Sequence, residues 1–231
     1  MTGTLEATQV RSMFDRIAGV YDRMNGVMTA GLHHRWRQRA ADLAQVRPGS
    51  HVVDVATGTG DLAIELHRRV GPAGEVVGLD FSEAMLQRAR AKAPGIQFEQ
   101  GDALALPYPD ASFDAATVGF GARNFADLER GIAEMVRVVR PGGRVVILEI
   151  TAAARSPLAG FCQAWFDRVV PLLGMLAGDT AAYSYLPQSV RRFPAPAELA
   201  GHMVRAGLRS VSWIETAGGI IAIHCGQVPP A

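Results

Sequence analysis

The sequence predicts an α/β fold in which helices cover both faces of a mostly parallel, seven-stranded sheet, and three observations predict it. Apolar runs over 52–55, 75–79, 96–99, 113–118 and 144–150 alternate with segments of helical period, the order that joins parallel strands through crossover helices. The first run empties into the small-residue turn Ala56-Thr57-Gly58-Thr59-Gly60 and then into a helical segment, a strand, loop and helix suited to a nucleotide-like cofactor. Two last runs, 209–215 and 219–224, are separated by Thr216-Ala217-Gly218, which ends the sheet in a tight hairpin. The sheet is therefore Rossmann-like with a C-terminal antiparallel hairpin strand, preceded by an N-terminal helical cap.

Each element has its own reason. Gln9 to Ile17, Tyr21 to Met28 and Leu32 to Gln45 have helical period, the last with Trp36 and Leu43 facing inward, and together they form the cap. After the strand Val52 to Val55, Gly58 and Gly60 let the backbone bend and approach a ligand before the helix Leu62 to Val70. Gly58-Thr59-Gly60-Asp61-Leu62-Ala63 also satisfies the dinucleotide form of the glycine fingerprint. A pyrophosphate wants bare N–H groups, however, and Asp54 and Asp61 on either side of the turn repel it. A ligand carrying an ammonium is attracted instead, and S-adenosylmethionine carries an ammonium, a sulfonium and an adenosine. Glu75 to Leu79 ends at Asp80, about twenty residues past the glycines, where a carboxylate takes the ribose hydroxyls; Phe81 follows it. Ser82 reads as the N-cap of a helix through Arg90 whose Met85 and Leu86 face inward, with Met85 placed to lie on adenine. Ile96 to Glu99 ends in Gly101-Asp102-Ala103, where Asp102 and the Ala103 backbone either read the adenine edge or cap a turn. Phe113 to Val118 opens into Gly119-Phe120-Gly121-Ala122-Arg123-Asn124-Phe125, a loop that the winding of the sheet places over the cofactor's reactive end. Asp127 to Val139 is an amphipathic helix stopped by Pro141-Gly142-Gly143, and Arg144 to Ile150 is the fifth strand.

Composition excludes several classes. The 231 residues contain no repeat or linker, so the chain reads as one unit: cap over 1–50, cofactor core over 51–150, substrate-side helix and hairpin over 151–231. Basic and acidic residues number 23 and 22, so no basic field calls for nucleic acid. Lys92 is the only lysine, which removes the phosphate-loop signature and a Schiff-base residue. Cys162 and Cys225 are solitary, and the adjacent His33 and His34 point to different sides of their helix, so no metal site is expected. Met1 to Val10 has no apolar core and reads as no signal peptide, so a cytoplasmic location is expected. Pro157 to Leu176 is apolar but interrupted by Asp167, Arg168 and Pro171, which makes it an amphipathic helix: a greasy entrance, a peripheral membrane contact, or a core or homodimer face.

The chain resembles the C-methyltransferases of menaquinone and ubiquinone biosynthesis, a branch of the class I S-adenosylmethionine-dependent methyltransferases. The resemblance runs through Met13-Phe14-Asp15, Tyr21-Asp22-Arg23-Met24-Asn25, Trp36-Arg37, the glycine loop, Gly119 to Asn124, Arg140-Pro141-Gly142-Gly143-Arg144, Tyr183-Ser184-Tyr185-Leu186-Pro187, Phe193-Pro194 and Gly218-Gly219-Ile220 with His224. A hairpin closing the sheet is usual in that class and unusual in a dinucleotide domain. The resemblance implies a single methyltransferase domain over 1–231, with cofactor contacts at Tyr21, Thr59, Asp80, Asp102, Ala103 and Gly119. It also implies a quinol or other small aromatic substrate held by Phe120, Asn124 and Tyr185. Gly119 stands where the family often has serine, Ala122 where a larger aliphatic residue is common, and Gln188 where glutamate is common. The implied reaction is methyl transfer from a sulfonium to a ring carbon of a reduced naphthoquinol, with Arg123 as the catalytic residue that stabilises the phenolate. In the alternative, Arg123 only pairs with a carboxylate to fix its loop. A relative acting on an aromatic secondary metabolite with the same cofactor, and a nonenzymatic nucleotide-binding module, are the competing readings.

Overall fold

The computed structural model describes residues 7–151 and 180–230. The predicted Pro157 to Leu176 helix and Cys162 lie outside the described residues. Three helices come first, α1 (Ala7–Ile17), α2 (Tyr21–Thr29) and α3 (Leu32–Leu43). The alternating part follows as β1 (His51–Val55), α4 (Asp61–Val70), β2 (Glu75–Asp80), α5 (Glu83–Lys92), β3 (Gln97–Gln100), β4 (Phe113–Gly119), α6 (Leu128–Val138) and β5 (Val139–Ile150). After it come α7 (Thr180–Arg192), α8 (Pro196–Arg205), β6 (Arg209–Thr216) and β7 (Ile221–Gln227).

The seven strands form one sheet in the order β3-β2-β1-β4-β5-β7-β6. The first five are parallel, and β7 runs antiparallel between β5 and β6. This is the expected mostly parallel sheet with an antiparallel end. Its winding reverses at β1, where β2 lies on one side and β4 on the other, so the C-terminal ends of these strands frame the crevice in which such sheets hold ligands.

Both faces of the sheet are covered, which is why its central strands read as nearly unbroken apolar runs. Side chains alternate across β1. Val52 packs with Ala40, Leu62 and Leu66 on one face, while Val53 and Val55 pack with Ile132, Met135 and Leu199 on the other. A smaller cluster joins α1 to the site wall through Val10, Met13, Ile17, Met85 and Tyr185.

Two strands, β5 and β7, differ from expectation by more than one residue. β5 starts at Val139, paired with Phe113, and the next pair is Ala115 with Arg144. The Pro-Gly-Gly turn is thus an insertion in one strand rather than a break before it, because Asp114 anchors the spot. Its Oδ2 accepts the His51 N–H at 2.7 Å and its Oδ1 accepts Arg140 Nη1 at 2.8 Å. β7 starts at Ile221 instead of Gly219, since Ala217–Gly219 coil into a 3-10 turn with positive φ at all three residues.

Candidate active site

A cavity of about 440 Å³ opens at the C-terminal ends of β1, β2 and β4, within the size range of small-molecule sites. The glycine turn forms its floor. Gly58 and Gly60 have φ of +57° and +84°, a conformation that costs side-chain-bearing residues energy. A Cβ on Gly60 would also meet Phe98 Cζ at 2.9 Å. Gly60 therefore serves through shape and the entry to α4; unlike Gly58 and Thr59, it does not line the cavity. Ala56 and Phe120, at the ends of β1 and β4, take positive φ without being glycine, and such strain concentrates at functional sites.

Carboxylates dominate the polar lining, with Asp54, Asp61, Asp80 and Asp102 all facing the cavity. Asp80 accepts the Gly58 N–H at 2.7 Å and the Ser82 N–H at 2.9 Å, so the acid that ends β2 also ties down the turn that follows β1. Burial pushes its carboxyl up to about 6 against those hydrogen bonds. Burial likewise raises Asp54 to about 6, opposed by hydroxyl donation from Thr117 at 2.6 Å and Thr57 at 2.7 Å. Asp61 ends below the usual carboxylate range: burial disfavours its charge, but Arg37 and Lys92 outweigh that. Asp102 accepts the Leu104 N–H at 2.9 Å, an Asx turn that leaves it on the cavity wall beside Ala103. Phe81 and Met85 supply apolar wall near Asp80, and Ser82 caps α5 by accepting the Met85 N–H, as expected. Gly119, Phe120 and Asn124 complete the β4 side, and Tyr21 lines the cavity from α2.

Three expectations are corrected. The Arg123 guanidinium does not line the cavity. Its Nη1 contacts Glu149 Oε1 at 2.6 Å and also donates to the Phe120 carbonyl, and the Arg123 N–H reaches Glu149 Oε2 at 3.2 Å. An arginine this buried takes the nearest buried carboxylate, so its geometry is that of a loop brace. Tyr185 stands behind the wall: its hydroxyl donates to Asn124 Oδ1 at 3.2 Å while its ring packs near Met85. His33 and His34 do not diverge, because their rings meet with centroids 3.9 Å apart.

Other residues join the site without having been foreseen. Arg37 lines the cavity from α3, 3.4 Å from Asp61. The signal was present in sequence: His33, Arg37, Ala40 and Ala41 form the buried stripe of α3, and polar residues on an apolar stripe mark an interior function. Asp22 of α2 accepts the Thr59 hydroxyl at 2.5 Å and pairs with Lys92 at 2.6 Å, and Lys92 reaches Asp61 at 2.8 Å. The single lysine thus belongs to the rim of the glycine turn. Asp15 of α1 accepts the Ser82 hydroxyl at 2.5 Å.

Comparison with known proteins gives the family and the fold. The model of the ubiE/COQ5 methyltransferase family matches residues 1–228. The demethylmenaquinone methyltransferase of Desulfitobacterium hafniense is 43% identical over 99% of this chain and 93% of its own length. That of Thermus thermophilus is 46% identical over 94% of this chain and 100% of its own length. Among solved structures, the 4+2 cyclase SpnF shares the fold, with a TM-score of 0.73 at 18% identity over 99% of this chain and 98% of that one.

Proposed function

The chain belongs to the ubiE/COQ5 methyltransferase family, and from that premise we propose that it carries a methyl group from S-adenosylmethionine to a ring carbon of a reduced prenylated naphthoquinol, converting demethylmenaquinol to menaquinol. The observation that carries the cofactor half is the donor set. Four carboxylates ring a glycine turn, next to apolar wall from Leu79, Phe81, Met85 and Leu104. A cationic amino-acid head fits the acids, and a flat base fits the apolar wall. Bound there, the cofactor supplies an electrophilic methyl on a sulfonium.

The chain's own residues bind and orient. Asp80 takes the ribose hydroxyls with the lone pairs that Gly58 and Ser82 leave free. Asp102 and the Ala103 backbone read the base, and Tyr21 closes the site from α2. On the β4 side, Tyr185 donates to Asn124 Oδ1, which fixes the amide so that its Nδ2 can donate to a quinol oxygen. Such a donor favours the phenolate, the form whose ring carbon is nucleophilic. Arg123 braces the loop that carries Asn124 and Phe120 through its bonds to Glu149 and the Phe120 carbonyl, and in this way aligns the acceptor.

The relatives named for demethylmenaquinone support the substrate half. We place the enzyme in the cytoplasm, meeting its lipid at the bilayer surface through the apolar 157–176 segment; no described helix is long and apolar enough to cross a membrane. Incubation with methyl-labelled S-adenosylmethionine and reduced demethylmenaquinone, followed by mass spectrometry of the lipid, tests the proposal. Label on the naphthoquinol ring is expected. Cofactor binding without label on that ring favours an aromatic secondary metabolite, and no binding removes the proposal altogether.

A further inference from the structure

We infer that Arg37 grips the α-carboxylate of the bound S-adenosylmethionine, an inference that rests on the cofactor reading above. The amino-acid end of that molecule is a zwitterion. Asp54 and Asp61 account for an ammonium, but the same acids repel the carboxylate that hangs from the same carbon. Only two arginines line the cavity among the described residues, Arg11 and Arg37. Arg11 is exposed, whereas Arg37 is 6% exposed. A cation and an acid 3.4 Å apart, Arg37 Nη2 and Asp61 Oδ2, present opposite charges at the spacing of one amino-acid head group.

The donors of Arg37 are apportioned to match. Nη1 is engaged by His33, at the ring Nδ1 and at the carbonyl oxygen, 3.3 Å away. A guanidinium only donates, so this Nδ1 is the unprotonated nitrogen of a neutral imidazole. His33 is kept in that form by burial first and by Arg37 second, which hold its pKa down at about 4. Nε donates no hydrogen bond among the described residues, and Nη2 stands only in the long ion pair with Asp61 Oδ2 at 3.4 Å. They lie on one edge of the planar group, and two N–H donors on one edge are what a carboxylate takes bidentately. The group is also held in place, since its Cζ sits 5.4 Å from the centroid of the Phe120 ring.

Calorimetry with two probes tests this: S-adenosylhomocysteine, and its decarboxylated analogue, which keeps adenosine, sulfur and amine but lacks the carboxylate. The wild-type chain is expected to prefer the carboxylated probe by about 10- to 100-fold, the range for charge-assisted hydrogen bonds. In Arg37→Gln that ratio falls close to one through loss of affinity for the carboxylated probe alone. Arg37→Lys keeps part of the ratio, as a point charge without a fork. A wild-type ratio near one overturns the inference without any variant, so a misfolded Arg37→Gln does not shelter it. An unchanged ratio in either variant, or a rise in quinol KM as the sole effect, also overturns it and assigns Arg37 elsewhere. No heat with either probe removes the cofactor reading, and this inference with it.

Discussion

Asp54 and Asp80 hold their protons to about pH 6 in the folded chain, against an ordinary value of 3.8. Because the folded state binds those protons more tightly than the unfolded one, each contributes stability that is complete below 3.8 and lost as pH rises through about 6. Ligand binding has the opposite preference, since the ionised acids meet an ammonium and ribose hydroxyls. Affinity for S-adenosylhomocysteine is therefore expected to rise several-fold between pH 5 and 7, with proton release near pH 6 seen as heats that depend on the buffer. A pH-independent affinity contradicts this. Glu149 is 1% exposed, and Glu149→Gln leaves Arg123 buried without a counter-charge. A loss of about 3–5 kcal/mol is expected, read from urea unfolding, together with slower turnover. The acids at the ends of β1 and β2 were legible in sequence because residue type and spacing state their chemistry. The orientation of Arg123 was not, since its partner lies 26 residues away on β5, and only the folded register decides which carboxylate it meets.

At the level of elements, α1 is held by its buried cluster of Val10, Met13 and Ile17 together with polar side chains, whereas α2 is fastened to the cofactor loops mainly by polar side chains. Asp15 to Ser82 and Asp22 to Thr59 and Lys92 are the fasteners, and α2 has no buried residue. Asp22 and Lys92 are partly exposed, so their pair is worth about 0–1 kcal/mol. In Asp15→Asn with Asp22→Asn, global stability should move little. Amide exchange should quicken in α1 and α2 but not in β1 or β4, and cofactor affinity should fall; equal acceleration throughout would contradict the latch. The helices and strands themselves followed from period and turn chemistry, as Ser82 on α5 and Asp127 on α6 show by capping where expected. The insertion in β5 did not follow, because Pro141-Gly142-Gly143 spells an ending locally and only the tertiary anchor at Asp114 lets pairing resume beyond it.

For the whole molecule, a cavity that binds only the folded chain ties ligand to stability. S-adenosylhomocysteine at 100 times its dissociation constant stabilises by about 2.7 kcal/mol, which for a chain of this size raises the melting temperature by about 5–10 °C. A thermal scan with and without it checks this, and NADH should leave the temperature unchanged. The sheet order also bears on manufacture. β7 is the neighbour of both β5 and β6, although β6 is made first. Arg209–Thr216 has no pairing with β5 of its own and joins the sheet only through its pairing with Ile221–Gln227. Chain order and sheet order thus differ by one strand, and a chain cut between those segments would leave the outer edge of β5 without its partner.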